Sequence, residues 1–356
     1  MLCSLRPSLR FRLGLWGRWL TWLLACGGLA IRLLPAAYAA PISCARCHTA
    51  ETAAFAQSTM THALESAQDG AILRANPKMA VTRDGYTWEI TRAGDETIYT
   101  VTDGNTTFRT QLGWAFGQGA AGQTYLFERD GYWYESLVSY YSALHGLDLT
   151  MGAQIAAVHN VKEAAGRLLA GADARDCFAC HATGAAKGSQ FTLAAMIAGV
   201  QCERCHGTSQ AHVQSMSPMR KLGSLSTEQM SDFCGECHRS WSEIAAKGPR
   251  GVLNVRFQPY RLTLSKCYDA EDRRIRCTAC HNPHRGLETS ARAYDSKCLA
   301  CHSSAGGASG ARVRNCRVAK QDCVTCHMPA VDLPGAHKRF TDHRIRIAKA
   351  GEKYPD

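Results

Sequence analysis

Seven times in this chain a cysteine is followed three positions later by a second cysteine and then at once by a histidine. The copies are Cys44-Ala-Arg-Cys47-His48, Cys177-Phe-Ala-Cys180-His181, Cys202-Glu-Arg-Cys205-His206, Cys234-Gly-Glu-Cys237-His238, Cys277-Thr-Ala-Cys280-His281, Cys298-Leu-Ala-Cys301-His302 and Cys323-Val-Thr-Cys326-His327. At this chain's Cys and His frequencies roughly 0.04 copies would arise by chance, so seven decide the class of chemistry. The pattern is the attachment signature of c-type haem, in which two thiols add across the two vinyl groups of one porphyrin. In a helical turn the first Cys and the His stand four residues apart and project from one face. The imidazole is thereby turned to the iron as its proximal ligand. Paired Cys-x-x-Cys units also build tetrahedral zinc sites, but zinc gives no reason for a His after every second Cys. The expected cofactor is therefore haem c, seven copies, covalently attached.

Fourteen His occur, and seven lie in the motifs. The other seven are His62, His145, His159, His212, His284, His337 and His343, which is one spare imidazole per haem. Bis-His ligation throughout would leave no iron position open and would favour lower potentials than Met ligation. His212 and His284 follow motif histidines closely, so a neighbouring haem is near them in any packing. Met60, Met79 and Met328 also stand near motifs, but Met usually fills cores. No catalytic residue is assigned. Cys267 and Cys316 fall outside the motifs. A disulfide, a free thiol near a haem and a thiolate ligand are all open to them.

The elements that must position these groups fall into five segments. Residues 1–39 read as a secretory signal peptide: Arg6, Arg10, Arg12 and Arg18, an apolar run from Trp19 to Ile31, and Ala37-Tyr38-Ala39 as a small-x-small cleavage site. Residues 40–75 hold the first haem motif and an expected helix from Glu51 to Ala67, with Phe55, Thr59 and His62 on one side. Residues 76–150 form a β-rich insert. Within about 78–141, apolar and polar residues alternate between Asp84-Gly85, Gly94-Asp95, Asp103-Gly104 and Asp130-Gly131 turns, which marks antiparallel hairpins. Gly117-Gln-Gly-Ala-Ala-Gly122 matches a dinucleotide fingerprint on paper. The stretch after it alternates like another hairpin rather than a helix, so the glycines are read as a loop.

Residues 151–333 form a six-haem region, expected to open with a helix over 151–170. Its first cysteines are 25, 32, 43, 21 and 25 residues apart, too close for independent domains, so the haems must share walls. Ser226-Thr-Glu-Gln229 is a capping box expected to open a helix carrying Cys234 to Trp241. The longest interval, 239–276, reads as an extended excursion. Residues 334–356 are a basic tail. The fold class expected from all this is mainly α and haem-organised, with little regular sheet in the haem region and the β insert at about 78–141.

The formal charge is +11. Five Arg and no acid lie in residues 1–39, so the mature chain would carry 11 − 5, or +6. Haem propionates lower this further, and the balance argues for no nucleic-acid partner. A signal peptide and c-type attachment, completed beyond the bacterial inner membrane, together place the protein in the periplasm.

Several pieces resemble the multihaem c-type cytochromes of the hydroxylamine oxidoreductase and pentahaem nitrite reductase superfamily, closest to its non-catalytic electron-transfer branch. They are Cys202-Glu-Arg-Cys205-His206-Gly207 with His212, Cys277-Thr-Ala-Cys280-His281-Asn-Pro-His284, Cys323-Val-Thr-Cys326-His327-Met-Pro329 and Phe340-Thr-Asp-His343. The similarity covers about residues 44–62 and 177–345. It implies distal-ligand roles for His212, His284 and His343. The chain lacks the Cys-x-x-Cys-Lys motif of the nitrite reductases and an identifiable cross-linking Tyr. The expectation is an exported heptahaem cytochrome that transfers electrons between redox proteins as donor and acceptor, with a membrane-bound redox complex as a candidate partner. An electron carrier is favoured over the alternative, a multihaem oxidoreductase acting on a small nitrogen or sulfur compound at one five-coordinate haem. Only that alternative needs a small-molecule substrate. A third reading makes the insert a docking module.

Overall fold

The computed structural model describes residues 44–194, 196–303, 316–349 and 351–355. Residues 1–39, expected to be a signal peptide, with Cys3 and Cys26, lie outside them. The first motif is a single tight turn, Cys44–Arg46, that leads into α1 (Thr49–Phe55). The helix expected to reach Ala67 stops at Phe55, whose carbonyl accepts the Thr61 hydroxyl at 2.8 Å. The chain then turns into β1 (Leu64–Ser66), so His62 is not on a helix.

After α2 (Ala71–Ala75) come β2 (Lys78–Arg83), β3 (Tyr86–Ala93), β4 (Glu96–Thr102) and β5 (Thr107–Gln111), an antiparallel four-stranded sheet in sequential order. Its first turn has Asp84 at φ 51° and Gly85 at φ 82°, the two left-handed residues a tight hairpin needs. A second sheet contains β6 (Trp114–Gly119), β7 (Gly122–Arg129), β8 (Tyr132–Tyr141) and β9 (Gly146–Leu149). β1 pairs with β6 at one edge, and β10 (Gly166–Leu168) pairs with β8. Trp88, Tyr99, Tyr125, Phe127 and Val138 form the core of this module. The short helix α3 (Val161–Ala165), capped by Asn160, closes it: Trp88 Nε1 donates to Ala164 O at 2.7 Å and the Tyr99 hydroxyl to Ala165 O at 2.9 Å. The glycines at 117–122 join β6 to β7, and a strand follows them, not a helix. At Gly119, φ +73°, a Cβ would meet Ser142 Oγ at 2.8 Å, so the hairpin requires glycine there.

The haem region contains α4 (Gly171–His181), then two-residue strands β11 (Ala182–Thr183) paired with β14 (Ile197–Ala198) and β12 (Ala186–Lys187) paired with β13 (Gln190–Phe191). There follow α5 (Cys202–His206), α6 (Gln210–Ser215), α7 (Thr227–His238), α8 (Trp241–Lys247) and α9 (Gln258–Thr263). Next come α10 (Cys277–Cys280), α11 (Asp295–His302) and α12 (Cys323–His327), and a closing hairpin of β15 (Ala330–Leu333) and β16 (Lys338–Thr341). The capping box at Ser226 is formed, but α7 ends before Arg239, which takes φ 68°; Ser240 caps a separate helix that carries Trp241. Over 151–170, where one helix was expected, there are a turn at Ile155–Ala157, α3 and strand β10.

The chain is not mainly α. It is about 34% helical and 26% strand, with a β-rich region running over 64–149. The reason is geometric. An attachment motif needs only one helical turn to align its first Cys with its His, so helices such as α5, α10 and α12 stay at four or five residues, while the insert is built from long hairpins. Among the described residues no helix is long and apolar enough to cross a membrane.

Candidate haem-binding site

In six motifs, all but the first, the cysteines lie on a helix, and each of those helices ends at or beside the motif His. The motifs are neighbours in space. Cys180 Sγ donates to Glu236 O at 3.5 Å and Arg204 donates to Cys237 Sγ at 3.7 Å, and the thiols of Cys44 and Cys202, Cys234 and Cys277, and Cys298 and Cys323 lie close enough to influence each other's titration. Cys205 also lies within electrostatic reach of Cys237, and Cys280 of Cys298. These proximities link all seven motifs into one branched set, with the Cys234–His238 motif beside three others. The neighbouring Cys180 thiol and Arg204 draw the Cys237 thiol below its ordinary value, whereas burial pushes the Cys177 thiol up to about 11. Haem attachment would convert these thiols to thioethers and end their titration.

Three motif imidazoles each face a second imidazole. The ring centroids of His48 and His212 are 6.4 Å apart with planes at 28°. His206 and His284 are separated by 5.9 Å at 13°, and His281 and His343 by 6.1 Å at 35°. Two imidazoles that share one metal through nitrogens at about 2.0–2.1 Å have centroids about 6 Å apart. The ring nitrogens agree with that use. Nδ1 of His181, His206 and His327 lies 2.8, 3.3 and 2.9 Å from the carbonyls of Ala63, Arg220 and Arg346. Nδ1 of His212 and His343 lies 2.9 and 3.0 Å from the carbonyls of Ser217 and Thr341. A backbone carbonyl on Nδ1 fixes the tautomer and frees Nε2 for a metal. Burial pulls His181, His238 and His281 below the ordinary histidine value, and His343 down to about 4. Such imidazoles are neutral at physiological pH, the form that ligates. The donor set fits haem. It does not fit a bare ion, since among the described residues no three His, Cys, Asp or Glu converge on one point.

The four other spare histidines lie elsewhere. His62 has Nε2 3.2 Å from Ala56 O and Nδ1 3.3 Å from Glu65. His145, at φ 48°, and His159 are exposed. His337 lies between β15 and β16 with Nε2 2.9 Å from Asp148 Oδ2 and its ring against Tyr141. Met79 belongs to the β-module core. Cys267 and Cys316 are exposed free thiols, not bridged to each other.

A family model for cytochrome c554 and c-prime matches residues 139–207, and one for cytochrome c3 matches residues 194–303. Both support a multihaem c-type cytochrome. The two matches together span five of the seven motifs, from Cys177 to His302, and imply covalently attached haem c and a haem-based electron-transfer or redox function. Comparison with curated proteins and with solved structures gave no match.

Sequence reasoning missed two groups that shape this site. Arg261 and Asp342 form an ion pair whose side chains are both 0% exposed. Asp295 accepts N–H bonds from Asp322 and Cys323 at 2.7 and 2.9 Å, fixing the start of the last motif helix. Neither leaves a local signal. The FTDH stretch held Asp342 in plain view, but only the fold reveals its partner.

Proposed function

We propose that this cytochrome is an exported heptahaem electron carrier of the non-catalytic branch of the hydroxylamine oxidoreductase superfamily, passing electrons between redox proteins in the periplasm. The observation that carries the reading is the clustering of seven motifs, three of whose histidines face a second imidazole. In this reading His212 completes the site of His48, His284 that of His206, and His343 that of His281. Bound haem supplies a one-electron redox centre at each attachment site. The chain's part is to hold the attachment thiols side by side, keep the imidazoles neutral and orient them through backbone carbonyls. Export rests on the 1–39 leader pattern, and a membrane-bound redox complex is the proposed source or sink of electrons.

One observation favours the alternative, an oxidoreductase acting on a small nitrogen or sulfur compound. His62, His145, His159 and His337 are exposed or bonded to protein, and the ring beside His181 is Phe116, at 5.2 Å. The spectrum of the reduced holoprotein with carbon monoxide or nitrite separates the two. An unchanged Soret band supports the carrier, and a shifted band supports the enzyme. Intact mass gives the number of porphyrin additions, seven being expected, and the mature N-terminus.

A further inference from the structure

His343 sits in a turn whose shape is imposed by its neighbour. The Asp342 carboxylate accepts four hydrogen bonds, and both oxygens are fully used. Oδ1 receives Arg261 Nε at 2.9 Å and the Arg344 N–H at 3.0 Å. Oδ2 receives Arg261 Nη2 and Arg346 Nη1, both at 2.9 Å. The bond to Arg344 closes a loop over two residues, with His343 at its apex facing His281. Arg261 comes from α9, in the long excursion between motifs, and is itself tied to Asn254 at 3.2 Å and lies under the ring of Tyr354. Ser265, one turn on, accepts the Ile345 N–H at 2.8 Å and donates to His343 O at 3.3 Å.

The same segment reaches a second motif. Arg346, whose guanidinium binds Asp342, receives Nδ1 of His327 on its carbonyl at 2.9 Å, and its N–H donates to His327 O at 3.1 Å. One buried carboxylate therefore stands behind the distal imidazole facing His281 and behind the proximal imidazole of the last motif. We infer that Asp342, clamped by Arg261 and Arg346, is a positioning residue shared by two haem sites and couples their axial ligands mechanically. The inference rests on the assignment of His343 as a distal ligand.

The test uses holoprotein with His343→Ala, Asp342→Asn and Ser265→Ala, read by paramagnetic resonance of the ferric haems and by redox titration. His343→Ala should convert one low-spin haem to high-spin and leave the others unchanged. Asp342→Asn should alter that signal and a second one, whose potential rises, because loosening Arg346 O from His327 Nδ1–H makes that imidazole a weaker donor to iron. Ser265→Ala keeps the buried charges and should shift the same two signals by less, so it decides the matter if Asp342→Asn does not fold. Alteration of only the His343 signal, or of none, in both the Asp342 and Ser265 variants overturns the inference while leaving the ligand assignment standing. An unchanged low-spin count in His343→Ala overturns the assignment, and the inference with it.

Discussion

The imidazoles of His206 and His284 lie nearly parallel, their centroids 5.9 Å apart and their planes at 13°, although 78 residues separate them in the chain. His284 is offered from a turn in which its own N–H donates to Asn282 Oδ1 at 3.0 Å. Replacing His284 with Ala should convert one low-spin haem to high-spin and create one site for carbon monoxide. His145→Ala, an exposed turn residue, serves as the control and should leave the spin states unchanged.

Gly199 takes φ +75°, and a Cβ there would stand 1.8 Å from the carbonyl oxygen of Thr61. Backbone cannot yield as a side chain tip can. The adjacent Val200 N–H donates to Met60 O at 2.9 Å, so this contact ties the approach to the Cys202 motif to the segment after the first motif. Gly199→Ala should cost about 3 kcal/mol or more, combining left-handed strain with the clash. Thermal unfolding of the holoprotein and its haem yield measure it.

Trp88 is fully buried and its indole N–H is bound to the last turn of α3. Trp88→Phe keeps most of the apolar bulk but strands the Ala164 carbonyl. The expected loss is about 1–3 kcal/mol. It should appear as a lower unfolding midpoint with unchanged haem spectra.

The Asp295 carboxyl is held below the usual range, first by the Cys323 N–H and also by that of Asp322. A carboxylate favoured in the folded state contributes stability that is present above its unfolded value, about 3.9, and is lost as pH falls through the lower folded value. Asp295→Asn should therefore destabilise the protein at neutral pH and flatten the acid limb of its stability profile below about pH 4. If both proteins have the same acid limb, Asp295 is not the group responsible.

What the sequence made legible was whatever is local. Seven attachment motifs, the Ser226 cap and the Asp-Gly hairpins each lie within a handful of residues, where spacing alone carries the physics. The mainly α expectation failed for the same reason read backwards. One-turn helices such as Cys202–His206 leave no periodicity, and the strength of the motifs hid how much of the chain is sheet. Imidazole pairing was illegible because His48 meets His212 across the whole insert. Arg261 and Asp342 were illegible because a buried charge is recognised only when its partner is found, 81 residues away.

The carbonyl of Ala63 accepts two donors, the Gly117 N–H at 2.9 Å and Nδ1 of His181 at 2.8 Å. One belongs to the β6 strand and the other to the second motif. A shortened protein beginning at residue 151 would keep six attachment motifs yet release the His181 ring from its anchor. The insert is no detachable cassette either: removing residues 76–150 would take away the Gly117 N–H and leave the Ala63 carbonyl, and the His181 ring bound to it, held from one side only.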